Sequence, residues 1–395
     1  MLPLFEVALL IAGAVAVLLY QGVALLLAAE MPRLDPAADA PAPAPLVSVV
    51  IAARNEADEL PATLDSLLEQ DYPNLEILVV EDGSTDGTRA VIDARVPRVR
   101  SIVPPPLPAG WVGKNWACWI GVQAARGERL LFLDADVRLH PTAVRTAVAW
   151  ADREGADLAT IAPAIEMKGF WERVVLPFYV QVVLTYFRAP HVNRDRSRTA
   201  MANGQFWLVR RETYTALGGH AAVRSFVLED VAIARRFRAA GRRLRIAWTP
   251  ELAVTRMYRE RQEMFEGLLK NVHGTAYSSL RLVGFLAGLV GLFWLPLGLL
   301  PLGGLVGSPL LVGVGAFLYF ALFGKHVVFA RAVGAPAVYG LLYPLAVGFY
   351  VVLVATSLAR GRKGRPIVWK GRAYAIDPGV GAGETMASSD QLRAP

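Results

Sequence analysis

The sequence predicts an α/β domain that lies between apolar helices at the two ends of the chain. Short β-branched runs alternate with helical patterns between residues 46 and 281, which is typical of parallel strands joined by helical crossovers. Long uncharged segments lie near both ends of the chain. Charged residues make up only 19% of the chain and hydrophobic residues 54%, whereas soluble chains carry about 25% charge. Part of the protein is therefore expected in a membrane.

The first 30 residues are predicted to form a transmembrane anchor. Residues 7–29 carry no charge, and as a helix they would be about 34 Å long, which exceeds the roughly 30 Å hydrocarbon core. The alternative is a cleaved signal peptide, but the basic leading region is missing and the apolar stretch is too long. Glu6 precedes the segment and Arg33 and Arg54 follow it, which favours an external N-terminus. Residues 31–45 are proline-rich and predict an extended spacer.

Residues 282–359 are predicted to form further transmembrane segments. Residues 282–324 are long enough for two spans with a turn at 301–309, and residues 332–359 for one more. Three spans would place the basic, flexible tail 360–395 outside the cell, against the positive-inside rule. Either one segment is re-entrant or interfacial, or the tail is an exception.

A shorter apolar segment, 174–187, lies within the predicted α/β domain at 46–281. It is too short to cross a bilayer and contains Pro177. Its aromatic residues and flanking arginines fit an interfacial helix, and a buried core helix fits equally well. The following stretch, 188–261, holds 16 arginines against six acids. Because aromatic residues are not interleaved as in a single-strand binding platform, we expect a solvated or lipid-facing surface and no nucleic-acid partner.

Four strands and four helices can be placed in the α/β domain. In such sheets, ligands bind beyond the carboxyl ends of the strands, and that is where polar residues follow three of the predicted strands. The predicted strands are 47–52, 76–81, 129–134 and 158–162, and the predicted helices are 58–69, 85–95, 114–125 and 141–153.

Asp134 and Asp136 follow the apolar run 130–133. In an extended chain, residues i and i+2 point the same way, so both carboxylates can face one ligand. Two hard oxygen donors suit Mg²⁺ or Mn²⁺ that bridges to a diphosphate. Such a metal would offset the charge on a departing diphosphate.

Several motifs together resemble family 2 glycosyltransferases of the GT-A fold, a Rossmann-like fold of nucleotide-diphospho-sugar transferases. Others resemble the membrane-bound branch that includes carotenoid and hopanoid-associated glycosyltransferases. The family motifs lie at 47–56, 81–87, 113–117, 133–136 and 228–230, and those of the branch at 108–114, 170–172, 203–205 and 368–372.

The resemblance implies a role for each matching residue. A nucleoside would be held by residues after the first two strands, a lysine would approach the donor, and the paired aspartates would bind ribose and metal. One further aspartate would be the general base. These residues are, in that order, Arg54, Asn55, Glu56 and Asp82; Lys114; Asp134 and Asp136; and Asp230.

Glu229 and Asp230 also have a structural interpretation, because two acids that open a helix meet its dipole favourably. That position is expected to keep Asp230 ionised, as a general base must be. The Gln-x-x-Arg-Trp motif of processive polysaccharide synthases is missing after the base. Candidate cations for the leaving diphosphate are therefore Arg256, Arg259 and Lys270, each of which is otherwise surface charge.

The sequence thus predicts a multi-pass enzyme of the plasma membrane with a cytoplasmic catalytic domain. The resemblance implies that it would transfer a sugar, with glucose as the default, from a UDP-sugar to a membrane lipid such as a carotenoid or hopanoid, by an inverting, metal-dependent displacement. The interfacial segment and the C-terminal spans would let an apolar acceptor reach the site from the bilayer. The alternatives are transfer to a polyprenyl phosphate or a polysaccharide, and a non-catalytic membrane scaffold.

Overall fold

A computed structural model describes residues 2–37, 42–275, 279–362, 367–369 and 372–374. It divides into two compact units. The sheet unit comprises Leu27–Met167 and Val182–Met257, and the apolar unit comprises Met1–Leu26, Lys168–Gln181 and Tyr258–Pro395. Most of the predicted tail 360–395, and part of the motif at 368–372, lie outside the described residues.

The four predicted strands are present within one or two residues of their expected bounds. In chain order the strands are β1 (Val47–Ala53), β2 (Leu75–Glu81), β3 (Arg100–Ile102), β4 (Arg129–Leu133), β5 (Val137–Leu139), β6 (Leu158–Ala162), β7 (Ala164–Ile165), β8 (Phe206–Arg210), β9 (Leu244–Trp248), β10 (Ala253–Thr255), β11 (Ile367–Trp369) and β12 (Arg372–Tyr374).

The four predicted helices of the α/β domain are also present, as α2 to α5, and most are shorter than expected. In chain order the α-helices are α1 (Leu2–Ala29), α2 (Leu60–Leu68), α3 (Thr88–Asp93), α4 (Gly113–Ala124), α5 (Ala143–Arg153), α6 (Phe170–Phe187), α7 (Arg211–Ala216), α8 (Glu229–Ala239), α9 (Arg261–Thr275), α10 (Ser279–Leu289), α11 (Leu295–Leu305), α12 (Pro309–Ala332) and α13 (Tyr343–Arg362).

The sheet unit is built on a seven-stranded sheet in the order β3-β2-β1-β4-β8-β6-β9. The strands are parallel except β8, which runs antiparallel to both β4 and β6. The four predicted strands, β1, β2, β4 and β6, run parallel as expected, and β8 was not among the predicted strands. The chain does not reach β8 by a short helical crossover, since residues 163–205, which include α6, lie between β6 and β8. A small second sheet has the order β5-β10-β7.

Helices cover both faces of the large sheet. On one face, Val49, Ile51 and Leu131 form one buried cluster with residues of α2 and α5. On the other face α4 packs on β1 and β2. A Cβ on Gly121 of α4 would lie 2.5 Å from a methyl group of Val50. Only glycine therefore allows this close approach, which sets how near α4 lies to the sheet.

The apolar unit supplies the helices that are long and apolar enough to cross a membrane. Large hydrophobic side chains are exposed on these helices, for example Leu19 (64%) and Phe320 (62%), as expected of a surface that faces lipid rather than water. The protein is therefore a membrane protein. Four such segments occur among the described residues: Ile11–Ala29, Val283–Leu305, Pro309–Ala332 and Ala337–Arg360.

Two details of the C-terminal segments differ from the prediction. The turn between the first two lies at residues 306–308, inside the predicted 301–309 region, but Pro301 is within α11. The second segment does not end at residue 324, because α12 continues to Ala332. Lys325 and His326 are consequently buried within a helix. The Lys325 ammonium lies over the rings of Tyr20 and Phe293, at 4.7 and 4.9 Å.

The apolar segment 174–187 is helical, as part of α6. Its first half is fully enclosed, since Val175, Leu176 and Phe178 are each 0% exposed. Phe178 packs edge-on against Phe293 at 5.2 Å and stacks on His326 at 5.8 Å. This burial favours the core-helix interpretation for the first half of the segment.

Candidate active site

Polar residues from three strand ends meet at one edge of the sheet. Strands β1, β2 and β4 are parallel and in register, with Ala53 opposite Glu81 and Val50 opposite Phe132. The residues that follow them, at 54–56, 82–87 and 134–136, therefore emerge at the same edge. This confirms the expectation that the strand ends gather there.

The loops after β1 and β2 are hydrogen-bonded to each other. The Arg54 guanidinium donates to the carbonyl oxygens of Asp82 and Gly83, at 2.6 and 3.1 Å. Asn55, at φ 53°, accepts from the Thr85 N–H at 2.8 Å. Arg54 and Asn55 thus hold the second loop in place, and the mostly buried Asp82 lies at its start.

Asp134 and Asp136 are both partly exposed, whereas Ala135 between them is 3% exposed. Both carboxylates are thus accessible in the turn that follows β4, and the expectation that they face one ligand stays a prediction. Asp136 Oδ2 accepts a hydrogen bond from the Thr255 hydroxyl at 3.2 Å. Thr255 ends β10, and sequence analysis missed it because a lone threonine carries no signal before the two strands are paired in space.

Lys114 lies between two carboxylates. Its Nζ is 2.7 Å from Asp134 Oδ1 and 2.8 Å from Glu229 Oε1. Burial lowers the pKa of Lys114, but the charges of Asp134 and Glu229 outweigh this effect and hold it well above its usual range. The ammonium therefore stays charged at neutral pH. It joins the end of β4 to the start of α8.

Asp230, the second residue of α8, is held by backbone amides. Its Oδ2 accepts from the Gly204 N–H at 2.7 Å, and its Oδ1 accepts from the Val231 N–H at 2.7 Å. A Cβ on Gly204 would come within 3.0 Å of Oδ2. The motif at 203–205 therefore has a physical role here, because its glycine lets the loop approach the carboxylate.

The expectation that Asp230 is kept ionised by the helix start needs correction. Burial and the charge of Glu229 raise the pKa of Asp230 to about 7, against the opposing effects of Lys114 and of the N–H groups of Val231 and Gly204. Desolvation outweighs the favourable helix position. A carboxylate with such a pKa is well matched to accept a proton near neutral pH.

The three candidate cations for the diphosphate are not equivalent. Arg256 follows Thr255, the residue that contacts Asp136, and it belongs to the sheet unit. Arg259 and Lys270 belong to the apolar unit, before and within α9. Arg256 is therefore the candidate that directly follows a residue in contact with one of the paired aspartates.

Several arginines of the 188–261 stretch are used inside the sheet unit. Arg245 contacts both Asp195 and Glu154, at 2.8 and 3.1 Å. The Arg238 guanidinium donates to the carbonyl oxygens of Val192 and Thr199. These contacts account for part of the stretch's basic composition without any external partner.

The paired aspartates fit a divalent metal only if a ligand completes its coordination. No group of three or more His, Cys, Asp or Glu suited to a metal occurs in the part of the chain that the structure describes. Asp134 and Asp136 supply two hard oxygen donors, and a nucleotide diphosphate offers the further oxygens that Mg²⁺ or Mn²⁺ prefers.

Comparison with known proteins finds a matching family and a similar protein. Residues 48–218 match the model of the glycosyl transferase family 2. The 4,4'-diaponeurosporenoate glycosyltransferase of Staphylococcus aureus is 26% identical over 343 residues, covering 84% of this chain and 88% of that protein.

Two solved structures also align with the chain. The mannosyltransferase PcManGT from Pyrobaculum calidifontis, in complex with GDP-Man and Mn²⁺, aligns with 18% identity and a TM-score of 0.49 over 89% of this chain and 99% of that one. Glucosyl-3-phosphoglycerate synthase from Mycobacterium tuberculosis aligns with 21% identity and a TM-score of 0.41 over 58% and 78%.

The family match begins in β1 and ends after α7, so it covers the strand ends that carry the polar residues described above. Residues 48–218 therefore match a family 2 glycosyltransferase domain, and the chain is similar over most of its length to the 4,4'-diaponeurosporenoate glycosyltransferase.

Proposed function

We propose that the protein transfers a sugar, with glucose as the first candidate, from a UDP-sugar to a membrane lipid of the carotenoid or hopanoid kind. The observation that carries this proposal is the chain of contacts from Asp134 through Lys114 to Glu229, with Asp230 beside it. It joins the expected donor side of the site to the expected base.

In the proposed reaction with a hydroxyl acceptor, Asp230 accepts the proton of that hydroxyl, whereas a carboxyl acceptor is already ionised at neutral pH. The acceptor oxygen bonds to the anomeric carbon while the bond from that carbon to the diphosphate breaks, and UDP departs with the electron pair. Attack opposite to the leaving group inverts the anomeric centre. Arg54, Asn55, Glu56 and Asp82 would hold the nucleoside, and Arg256 would meet the diphosphate.

Asp134 and Asp136 would hold the divalent metal together with the donor diphosphate. When bound, Mg²⁺ or Mn²⁺ supplies positive charge that offsets the charge on the leaving group. The contact of Thr255 with Asp136 supports this assignment, because it orients one carboxylate of the pair.

The acceptor assignment is supported by the relative and by the apolar unit. The name of the relative, 4,4'-diaponeurosporenoate glycosyltransferase, gives a carotenoid carboxylate as its acceptor. The apolar helices would hold the enzyme in the plasma membrane, where such an acceptor is dissolved. The sheet unit would face the cytoplasm, where nucleotide sugars are made.

The first experiment is UDP release by the full chain in lipid nanodiscs with Mn²⁺, across a panel of UDP-sugars. Each sugar is tested with and without a total lipid extract of the source organism, beside Asp136→Ala. We expect one sugar to give lipid-dependent release that the variant loses, and mass spectrometry of the lipid fraction then identifies the acceptor. Release that needs no lipid, or a product that stays in the aqueous phase as polymer, would contradict the proposal.

A further inference from the structure

Helix α8, which carries Asp230, begins without the usual local support. Its N-cap residue is Leu228, whose apolar side chain makes no capping hydrogen bond. Helix starts are normally fixed by Ser, Thr, Asp or Asn at this position. Since the position of Asp230 depends on where α8 begins, other residues must fix the helix start.

Asn115 in the first turn of α4 makes that connection. Its side-chain Nδ2 donates to the carbonyl oxygens of Val223, Arg224 and Phe226, at 3.0, 3.1 and 2.9 Å. The amide has two N–H groups and contacts three carbonyl oxygens, so one N–H is shared between two of the oxygens. The three carbonyls belong to the segment 223–226, which leads directly into α8.

The contact is buried and chemically specific. Asn115 is 0% exposed, so water cannot replace its bonds to the carbonyls. The amide orientation is determined by the partners, because the opposite orientation would turn the oxygen towards three other oxygens. The Arg224 carbonyl also accepts from the Val112 N–H at 2.8 Å, which adds a main-chain bond between the same two segments.

Asn115 follows Lys114 in sequence, so the first turn of α4 contacts the base region at two points. Lys114 binds the Glu229 carboxylate, and Asn115 binds the loop before it. Lys114 also contacts Asp134 at the end of β4. The first turn of α4 thereby connects Asp134, the expected donor-binding carboxylate, to the start of α8, which carries the expected base.

We infer that Asn115 is a positioning residue for glycosyl transfer: by holding the carbonyls of residues 223–226 it sets the place of Asp230 relative to Lys114 and Asp134. The kinetic part of this inference rests on the proposed function. The structural part does not, because the hold on residues 223–226 can be measured without turnover.

The test compares Asn115→Ala and Asn115→Asp with the wild type, as full chains in nanodiscs. Loss of reactant alignment costs on the order of 10²-fold in rate. We therefore expect Asn115→Ala to lower kcat by about 10²-fold, with KM and affinity for the UDP-sugar within about threefold. Asn115→Asp has nearly the same shape but turns a carboxylate towards three carbonyls, so its kcat should be lower still.

Asn193→Ala is the matched control. Asn193 exchanges two hydrogen bonds with the main chain of Ile246, at 3.0 and 2.7 Å, but not with the segment before α8. Its removal should cost stability and leave kcat within about threefold, in contrast to the 10²-fold loss expected of misalignment. Where Asn115→Ala fails to fold, Asn115→Ser, which keeps one donor, replaces it.

Hydrogen exchange separates this inference from the proposed function. The amides of residues 223–230 should exchange at least tenfold faster in Asn115→Ala, and not in Asn193→Ala. Faster exchange in a protein that turns over no sugar would support the positioning of α8 and refute the proposed function. Unchanged exchange, or a kcat that falls equally in both variants, would overturn the role of Asn115.

Discussion

At the scale of single residues, the site contains four neighbouring ionisable groups, one lysine and three carboxylates, whose contacts differ. Lys114 contacts the carboxylates of both Asp134 and Glu229, whereas Asp230 bonds only to main-chain N–H groups in the contacts described above. Burial and the charge of Glu229 raise the pKa of Asp230 to about 7. We base two predictions on this difference.

The first prediction concerns Asp230→Asn. Removing a general base costs about 10²–10⁴-fold in rate, so kcat with a hydroxyl acceptor should fall by about 10³-fold. UDP-sugar affinity measured by calorimetry should change less than threefold. A carboxyl acceptor is itself acidic, so Asp230→Asn should lose less activity with such an acceptor than with a hydroxyl acceptor.

Asp93→Asn serves as the control, because Asp93 is exposed and pairs with Arg89, four residues before it in the chain. It should retain full activity. A wild-type rate in Asp230→Asn with a hydroxyl acceptor would remove Asp230 from the mechanism.

The second prediction concerns pH. The pKa of Asp230 is about 7, and the ionised form is the base. The value of kcat/KM should therefore fall tenfold per pH unit below about pH 7 and level off above it. Because the Glu229 charge helps to raise this pKa, Glu229→Gln should move the acid limb to lower pH. An acid limb that stays in place or moves upward in a pH–rate profile would contradict this assignment.

At the scale of elements, α12 contains an unusual residue for an apolar helix. Lys325 is 3% exposed, and its Nζ has no hydrogen-bond partner among the residues that the structure describes. The rings of Tyr20 and Phe293 offset this in part, since cation–π contacts contribute about 0.5–2 kcal/mol. Burying a charge without a hydrogen-bonded partner costs several kcal/mol, so the desolvation cost is the larger effect.

The third prediction follows from that balance. Lys325→Met keeps the length of the side chain and removes the charge, so it should stabilise the protein by about 1–3 kcal/mol. The measurement is the thermal midpoint in nanodiscs, which should rise. Arg331→Met, at an exposed position of the same helix, should leave the midpoint unchanged. A lower midpoint in Lys325→Met would mean that the ring contacts outweigh desolvation.

At the scale of the whole molecule, contacts within the apolar unit indicate how many of the three apolar C-terminal segments cross the membrane. Strand β11, shortly after α13, contacts α9, and α10 begins four residues after α9 ends. The C-terminal segments therefore start and finish beside the same helix. Phe349 in α13 also packs on Phe265 of α9, at 5.6 Å. An odd number of full crossings cannot begin and end on one side.

The fourth prediction is that α13 does not cross the membrane, which keeps the basic residues near its end on the side of α9. Single cysteines are introduced at exposed positions, Val306, Ala332 and Ala359, after replacement of the only native cysteine, the buried Cys118. An impermeant thiol reagent applied to whole cells should label position 306 and neither of the others. Joint labelling of 306 and 359 would show that α13 crosses.

The local patterns of the sequence determined the strands, the apolar segments and the strand ends that carry Asp82, Asp134 and Asp136. These features follow from periodicity along the chain, because alternation and helical spacing are local properties. The same patterns did not predict the antiparallel β8, since its pairing depends on where a long excursion of the chain returns. They also placed the end of the second C-terminal segment at residue 324, because Lys325 is the first charged residue after it. Only the packing shows that aromatic rings lie beside Lys325 within a continuous helix.

The site divides in the same way. The sequence by itself brought Lys114, Glu229 and Asp230 forward as candidates, through motifs and a family resemblance. Only the tertiary structure decided that Lys114 joins Glu229 to Asp134, that Gly204 binds Asp230, and that Asn115 holds the start of α8. These contacts join residues far apart in the chain, and the raised pKa of Asp230 arises from burial, which exists only once the chain is folded.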